Sequence, residues 1–232
     1  MGLRASGASH PGRRWAGSLV AVLLVLAAFV APAAVSAGTY RDCSAIELEP
    51  GGDLHRCDLA GITIIGLDLH GINFARSNLT GTYAGCHPDE PRTNLAGASI
   101  YRAILVDALL CDAILTDADL HGSDLSGASL EDATVRDANL SNATWRDGAA
   151  IGARFNGADL HRIDLRGTNL RAADLVGTDL RYAQLDGVDF TSADLTGANW
   201  KKATGLDSAI FSDTTCPDGS NSDANGGTCP GI

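Results

Sequence analysis

Between Thr93 and Ile210 every fifth residue is large and apolar. The series begins Leu95, Ile100, Leu105, Leu110 and Leu115 and, after a weak unit at Ala150, resumes at Phe155 and runs to Leu195 and Trp200. Two residues before each stands a small one, mostly Ala (Ala113, Ala118, Ala128, Ala158, Ala173, Ala193), with Asp or Asn usually in between. A period of five fits neither the 3.6 of a helix nor the 2.0 of a strand. Tandem units this short point to a solenoid, in which each unit buries its apolar side only against its neighbours. Along extended backbone the large residue and the small one two before it face the same way. The other three positions are then free to be polar, and here they are mainly Asp, Asn, Gly, Arg and Ser.

The rhythm starts earlier in a looser form, at Leu54, Leu59, Ile64, Leu69, Phe74 and Leu79, with bulkier Ile62, Leu67 and Ile72 two before the centres. The two blocks are out of phase, and Gly85 to Arg92 lies between them. Pro88 and Pro91 in this segment cannot donate ladder hydrogen bonds, so it is predicted to bulge as a side loop. The expected organisation is a leader (1–37), an N-terminal cap (38–53), a first repeat block (54–83), a side loop (84–92), a second block (93–211) and a tail (212–232). Ile46, Leu48 and the turn Pro50-Gly51-Gly52 suggest a short cap strand.

Arg4, Arg13 and Arg14 precede an apolar run, and Val35-Ser36-Ala37 fits a small-x-small cleavage site, the pattern of a secretory signal peptide cut near Ala37. The apolar run is short for a membrane span, so membrane contact is expected only through an uncleaved leader. The leader holds those three Arg and no acid, so its loss takes the net charge from −11 to −14. Such a surface repels phosphate and argues against nucleic-acid binding. All six cysteines follow the leader, an even count that reads as three disulfides in an exported chain.

Runs such as Ala118-Asp119-Leu120-His121-Gly122 and Ala193-Asp194-Leu195-Thr196-Gly197 resemble the pentapeptide repeat, A-(D/N)-L-x-x. The resemblance covers most of the chain after the leader. It implies an all-β, right-handed quadrilateral β-helix with capped ends, four units to a coil. About 7.5 coils would make a rod of roughly 36 Å at a strand spacing of about 4.8 Å. On such coils Cys43–Cys57 would pin the cap to the first coil, Cys86–Cys111 would fold the side loop onto the rod, and Cys216–Cys229 would close the tail. The apolar outward residues Ile104, Leu109 and Ile114 want a cover, either the side loop or a partner for which they would form a patch.

Tyr101, His121, Ser141, His161, Arg181 and Lys201 would stand in one column, beside Asp119, Asn139, Asp159, Asp179 and Asn199. The column reads as a charged face or as a docking stripe. Interleaved Asn would relieve repulsion between stacked Asp. His121 and His161 would be too far apart to share a zinc ion. Asp213, Asp218, Asn221, Asp223 and Asn225 supply hard oxygen donors of the kind calcium takes, or else form Asx turns under a disulfide. Two sequons, at Asn78 and Asn142, are within what repeat composition generates. No nucleophile–base set or phosphate loop is recognisable, so neither catalysis nor a cofactor is expected. The expected role is a monomeric, exported scaffold or protein-binding module with a protein partner. The alternatives are a calcium-binding surface protein or, since some members resembling duplex DNA bind DNA gyrase, a DNA mimic, which the leader disfavours.

Overall fold

The structure is a computed structural model that describes residues 40–41, 43 and 46–230, and the predicted leader lies outside them. The described chain pairs with itself in parallel at a fixed interval: Asp119 with Asn139, Asn139 with Asp159, and so on from Asp53 to Thr215. The interval is 20 residues, so four five-residue units make one coil of a parallel β-solenoid. In each unit the centre donates to the next coil (Leu120 N to Asn139 O, 2.8 Å), and the residue before it donates to the previous one (Asp119 N to Ala98 O, 2.9 Å). A third bond crosses two residues after the centre (Gly122 N to Ser141 O, 3.0 Å), and a fourth closes a turn (Ser123 N to Leu120 O, 3.1 Å).

That turn explains the two residues after each centre. The second has positive φ in unit after unit, as at Gly61 (70°), Asp107 (55°), Asp137 (56°) and Tyr182 (62°). A left-handed third residue makes a type II turn, which favours Gly or Asn and tolerates Asp. The residue before the centre is Asp or Asn because its Oδ1 accepts the amide two residues on, as Asp119 does from His121 N at 3.1 Å and Asp194 from Thr196 N at 2.9 Å. Asn139 Nδ2 then donates to Asp119 Oδ1 at 3.2 Å, and Asn73 Nδ2 to Asp53 Oδ1 at 2.9 Å, so interleaved Asn does relieve the stacked acids.

Centres and the small residues two before them fill the interior. Where the small residue is Ser or Thr, its buried hydroxyl donates to a carbonyl, as Ser77 does to Leu54 O (2.6 Å) and Thr178 to Leu175 O (2.8 Å). The weak unit at Ala150 has a packing cause. Trp145 and Phe155, both fully buried, flank it with ring centroids 5.9 Å apart. The Trp145 indole donates to Ala128 O at 3.1 Å. A Cβ on Gly148 would stand 2.1 Å from Trp145 Nε1. Small residues at 148 and 150 therefore leave room for large ones at 145 and 155.

The breaks in rhythm fall at three places. The ladder begins at Arg41, which pairs with Cys57, and no bridge forms over 46–49, so the predicted cap strand at Ile46 and Leu48 is absent. Proline-terminated and rich in polar neighbours, that segment packs Leu48 on the core without extending the sheet. The first block runs one unit past Leu79: Ala84 is buried, and its amide donates to Leu109 O as a centre does. The loop then makes one coil longer, so that Asp68 meets Asn94, 26 positions on. Near the far end a single extra residue shifts the phase again. Asp189 pairs with Ile210 and Asp194 with Thr215. Ile210, expected as a centre, is 51% exposed, while Phe211 and Cys216 take the interior positions.

Candidate functional site

Three disulfides join Cys43 to Cys57, Cys86 to Cys111 and Cys216 to Cys229, with Cα separations of 5.7, 4.7 and 5.4 Å. The side loop is held from within by Glu90, whose Oε2 accepts from Tyr83 Oη (2.8 Å), Cys86 N (3.0 Å) and His87 N (3.1 Å). The Tyr83 hydroxyl leads the interactions that hold this carboxyl below its ordinary range. Arg92 reaches the coils through Asp112 O (2.6 Å) and Thr134 Oγ1 (2.9 Å).

The apolar patch expected from Ile104, Leu109 and Ile114 does not form. The three pair with Asn78, Tyr83 and Asn94 respectively, which belong to three different columns of the ladder. Successive units take successive sides of the coil, so neighbours in the rhythm point apart. Leu109 is 41% exposed, and the other two are half-buried.

The tail residues proposed for calcium are spent on turns. Asp218 Oδ1 accepts Ser220 N (3.0 Å), Asn221 Oδ1 accepts Asp223 N (2.9 Å), and Asp223 Oδ1 accepts Asp213 N (2.9 Å). Asn221 Nδ2 donates to Asp213 Oδ1 at 3.1 Å and Asn225 Nδ2 to Ser220 Oγ at 2.9 Å. Among the described residues no three His, Cys, Asp or Glu converge on a point that could hold a metal ion.

What the coils do assemble is one edge. Tyr101, His121, Ser141, His161, Arg181 and Lys201 stack in column, each accepting from the coil before. Tyr101 and His121 are stacked at 5.6 Å, His121 Nδ1 lies 2.8 Å from Ser141 Oγ, and His161 meets the edge of Tyr182 at 5.3 Å. Immediately beside them runs a second column that sequence reading missed, the left-handed residues Arg56, Arg76, Arg102, Arg162, Tyr182 and Lys202. Arg102 lies over Tyr101 at 5.1 Å; Arg162 and Lys202 lie over Tyr182 at 5.5 and 5.0 Å. Lys202, by its hydrogen bond and charge, lowers the Tyr182 hydroxyl below its usual range. The signal available in the sequence was an Arg or Lys recurring two after a centre at multiples of the coil length.

On the other three edges the same left-handed position is mostly Gly or Asp (Asp107, Asp112, Asp117, Asp132, Asp137 and Asp147), with Ala172 and Ser192 as exceptions. The basic edge has no acid at either turn position from His55 to Lys202. Two shallow hollows lie at its ends, one lined by Asp53, His55, Arg56 and Arg76, the other by Trp200, Lys201, Lys202 and Leu206. Seven Lys and Arg stand on this edge, half of those left when the three of the leader are taken from 17.

The family model described as pentapeptide repeats matches residues 93–132, 135–171 and 168–203, in 8 copies. No curated protein matches the chain. Among solved structures, HetL from the cyanobacterium Nostoc sp. strain PCC 7120, a pentapeptide repeat protein involved in heterocyst differentiation regulation, is 27% identical over 74% of this chain and 86% of its own, with a TM-score of 0.35. A pentapeptide repeat protein from the Arabidopsis thaliana thylakoid lumen is 31% identical over 40% of this chain and 68% of its own, with a TM-score of 0.34. QnrB1, a plasmid-mediated fluoroquinolone resistance protein, is 19% identical over 67% of this chain and 88% of its own, at 0.28.

Proposed function

Because the chain belongs to the pentapeptide-repeat family, we propose that it is a non-enzymatic, exported scaffold or protein-binding module built as the right-handed quadrilateral β-helix of that family. The observation that carries this reading is the segregation of charge. A chain of net charge −11 gathers half its post-leader cations on one edge and keeps acids out of that edge's turn positions. A rod whose interior is filled by its own side chains offers surface rather than pocket, and this surface is differentiated. Three disulfides are compatible with an oxidising compartment, which supports export after cleavage near Ala37. A basic edge running the length of the rod also weighs against mimicry of duplex DNA, which is negative all round.

The test is a pull-down with the oxidised chain from Gly38 onward against extracytoplasmic extract, with partners identified by mass spectrometry. The expected result is a stoichiometric protein complex that forms without covalent change to the partner. Recovery of the uncleaved chain with reduced thiols from the cytosol would overturn the reading of export.

A further inference from the structure

We propose that the edge carrying Arg56, Arg76, Arg102, Arg162 and Lys202 docks an extended acidic segment of a protein partner. This deepens the binding-module reading and rests on it.

Two features of these residues run against local physics. Each holds a left-handed backbone conformation, with φ between 52° and 65°. The same position is Gly, Asp or Asn almost everywhere else along the ladder, and side chains such as Arg and Lys gain nothing there. Each is exposed, and none of the five forms an ion pair among the described residues, although acids outnumber bases 28 to 17. By contrast Arg146, Arg166, Arg171 and Arg181, at the first turn position, all pair with Asp. The rings of Tyr101 and Tyr182 take up part of this charge, but no carboxylate of the chain answers it, and cations set repeatedly at a left-handed position along one line mark a surface kept for something outside the chain.

The edge also says what kind of partner fits. Its guanidiniums suit carboxylates, which they bind in two-point fashion. The aromatic rings are already engaged: Tyr101 between His121 and Arg102, Tyr182 among His161, Arg162 and Lys202. Their faces are not free to stack on sugars or bases, the contact that single-stranded nucleic acids rely on. Recognition falls to charge, at multiples of the coil spacing of about 4.8 Å, with Gly122 and Asn142 between Arg102 and Arg162 and Tyr182 before Lys202. A convex, straight edge is met by an extended chain.

The test uses the oxidised chain with poly-L-glutamate as probe, and sodium polygalacturonate as the anionic glycan in a parallel arm. The edge variant is R76G/R102G/R162G. Glycine suits the left-handed backbone, so this variant folds and melts no lower than the parent. The control is R136Q/R154Q/R171Q, with the same change of charge on other columns. The expected result is polyglutamate binding that weakens with added salt and falls about tenfold in the edge variant, with less than a twofold change in the control. Equal losses in both variants, no binding at low salt, or binding of polygalacturonate in place of polyglutamate would each overturn the proposal. If the partner captured from extract is held equally by the edge variant, the edge is not the site while the binding module stands. If neither partner nor polyglutamate is bound, both fail.

Discussion

The residue two after each centre is where local conformation and composition meet most sharply. Its positive φ costs a residue with a Cβ roughly 1 kcal/mol or more, and Gly is the residue most often found there. At Gly177 (φ 69°) an added Cβ would touch nothing within 4 Å, so Gly177→Ala isolates the backbone cost. A loss of about 1 kcal/mol is expected in urea unfolding. The converse holds at Ala172 (φ 54°), where Ala172→Gly is expected to gain roughly 0.5–1 kcal/mol in the same measurement. Asp164 is a different kind of residue. It is 5% exposed, and burial alone would raise its pKa, but Arg166 and Arg146 donate to it at 2.9 and 2.6 Å and hold it at about 2, below the ordinary 3.8. A depressed carboxyl stabilises the fold above its unfolded pKa and ceases to do so as pH falls from about 4 to about 2. Asp164→Asn is therefore expected to lose about 1–2 kcal/mol at pH 6, discounted for the half-exposed arginines. The gap from the parent should close by pH 2 in a denaturation series. Nothing in the sequence singled out Asp164 from the many Asp before a centre. Its burial depends on two arginines brought together only by the stacking of coils.

At the scale of coils and loops, the irregular units behave as parts of a packing solution. Ala150 looks like a defect in the rhythm, and restoring Leu there would seem an improvement. With Trp145 and Phe155 already filling the coil, Ala150→Leu is instead expected to destabilise by roughly 1–3 kcal/mol through overpacking, measured as a lower midpoint in guanidinium. The side loop was legible from Pro88, Pro91 and the slip in phase, and its bridge Cys86–Cys111 followed from placing cysteines on coils. Closing 25 residues, that bridge is expected to contribute about 3 kcal/mol, so that Cys86→Ser with Cys111→Ser lowers the unfolding free energy by that order. The Glu90 hydrogen bonds were not legible, since Glu90 has no place in the repeat. The extra residue before Ile210 was not legible either. Ile210 sits in phase by count, and only the ladder shows that Phe211 has taken its place inside. The grouping of Ile104, Leu109 and Ile114 failed for a simple reason of geometry: neighbours in a five-residue rhythm share a coil and not a side.

For the solenoid as a whole, the repeat in the sequence was sufficient for the fold, because each unit is satisfied by copies of itself above and below. One half of the basic edge was visible in the same way, as the column from Tyr101 to Lys201. Its other half was hidden, since the left-handed residue becomes a distinct position only once the turn is known to be type II. With both columns in view, the surface divides into one basic line and three sides where Gly or Asp holds most of the left-handed turn positions. Partner binding is assigned to that line. It is tested most directly by arginine footprinting with phenylglyoxal and mass spectrometry on the complex recovered with the partner. Arg76, Arg102 and Arg162 are expected to be protected in the complex, while Arg136, Arg154 and Arg171 react as in the free chain. Protection of the second set with the first left reactive would contradict that assignment.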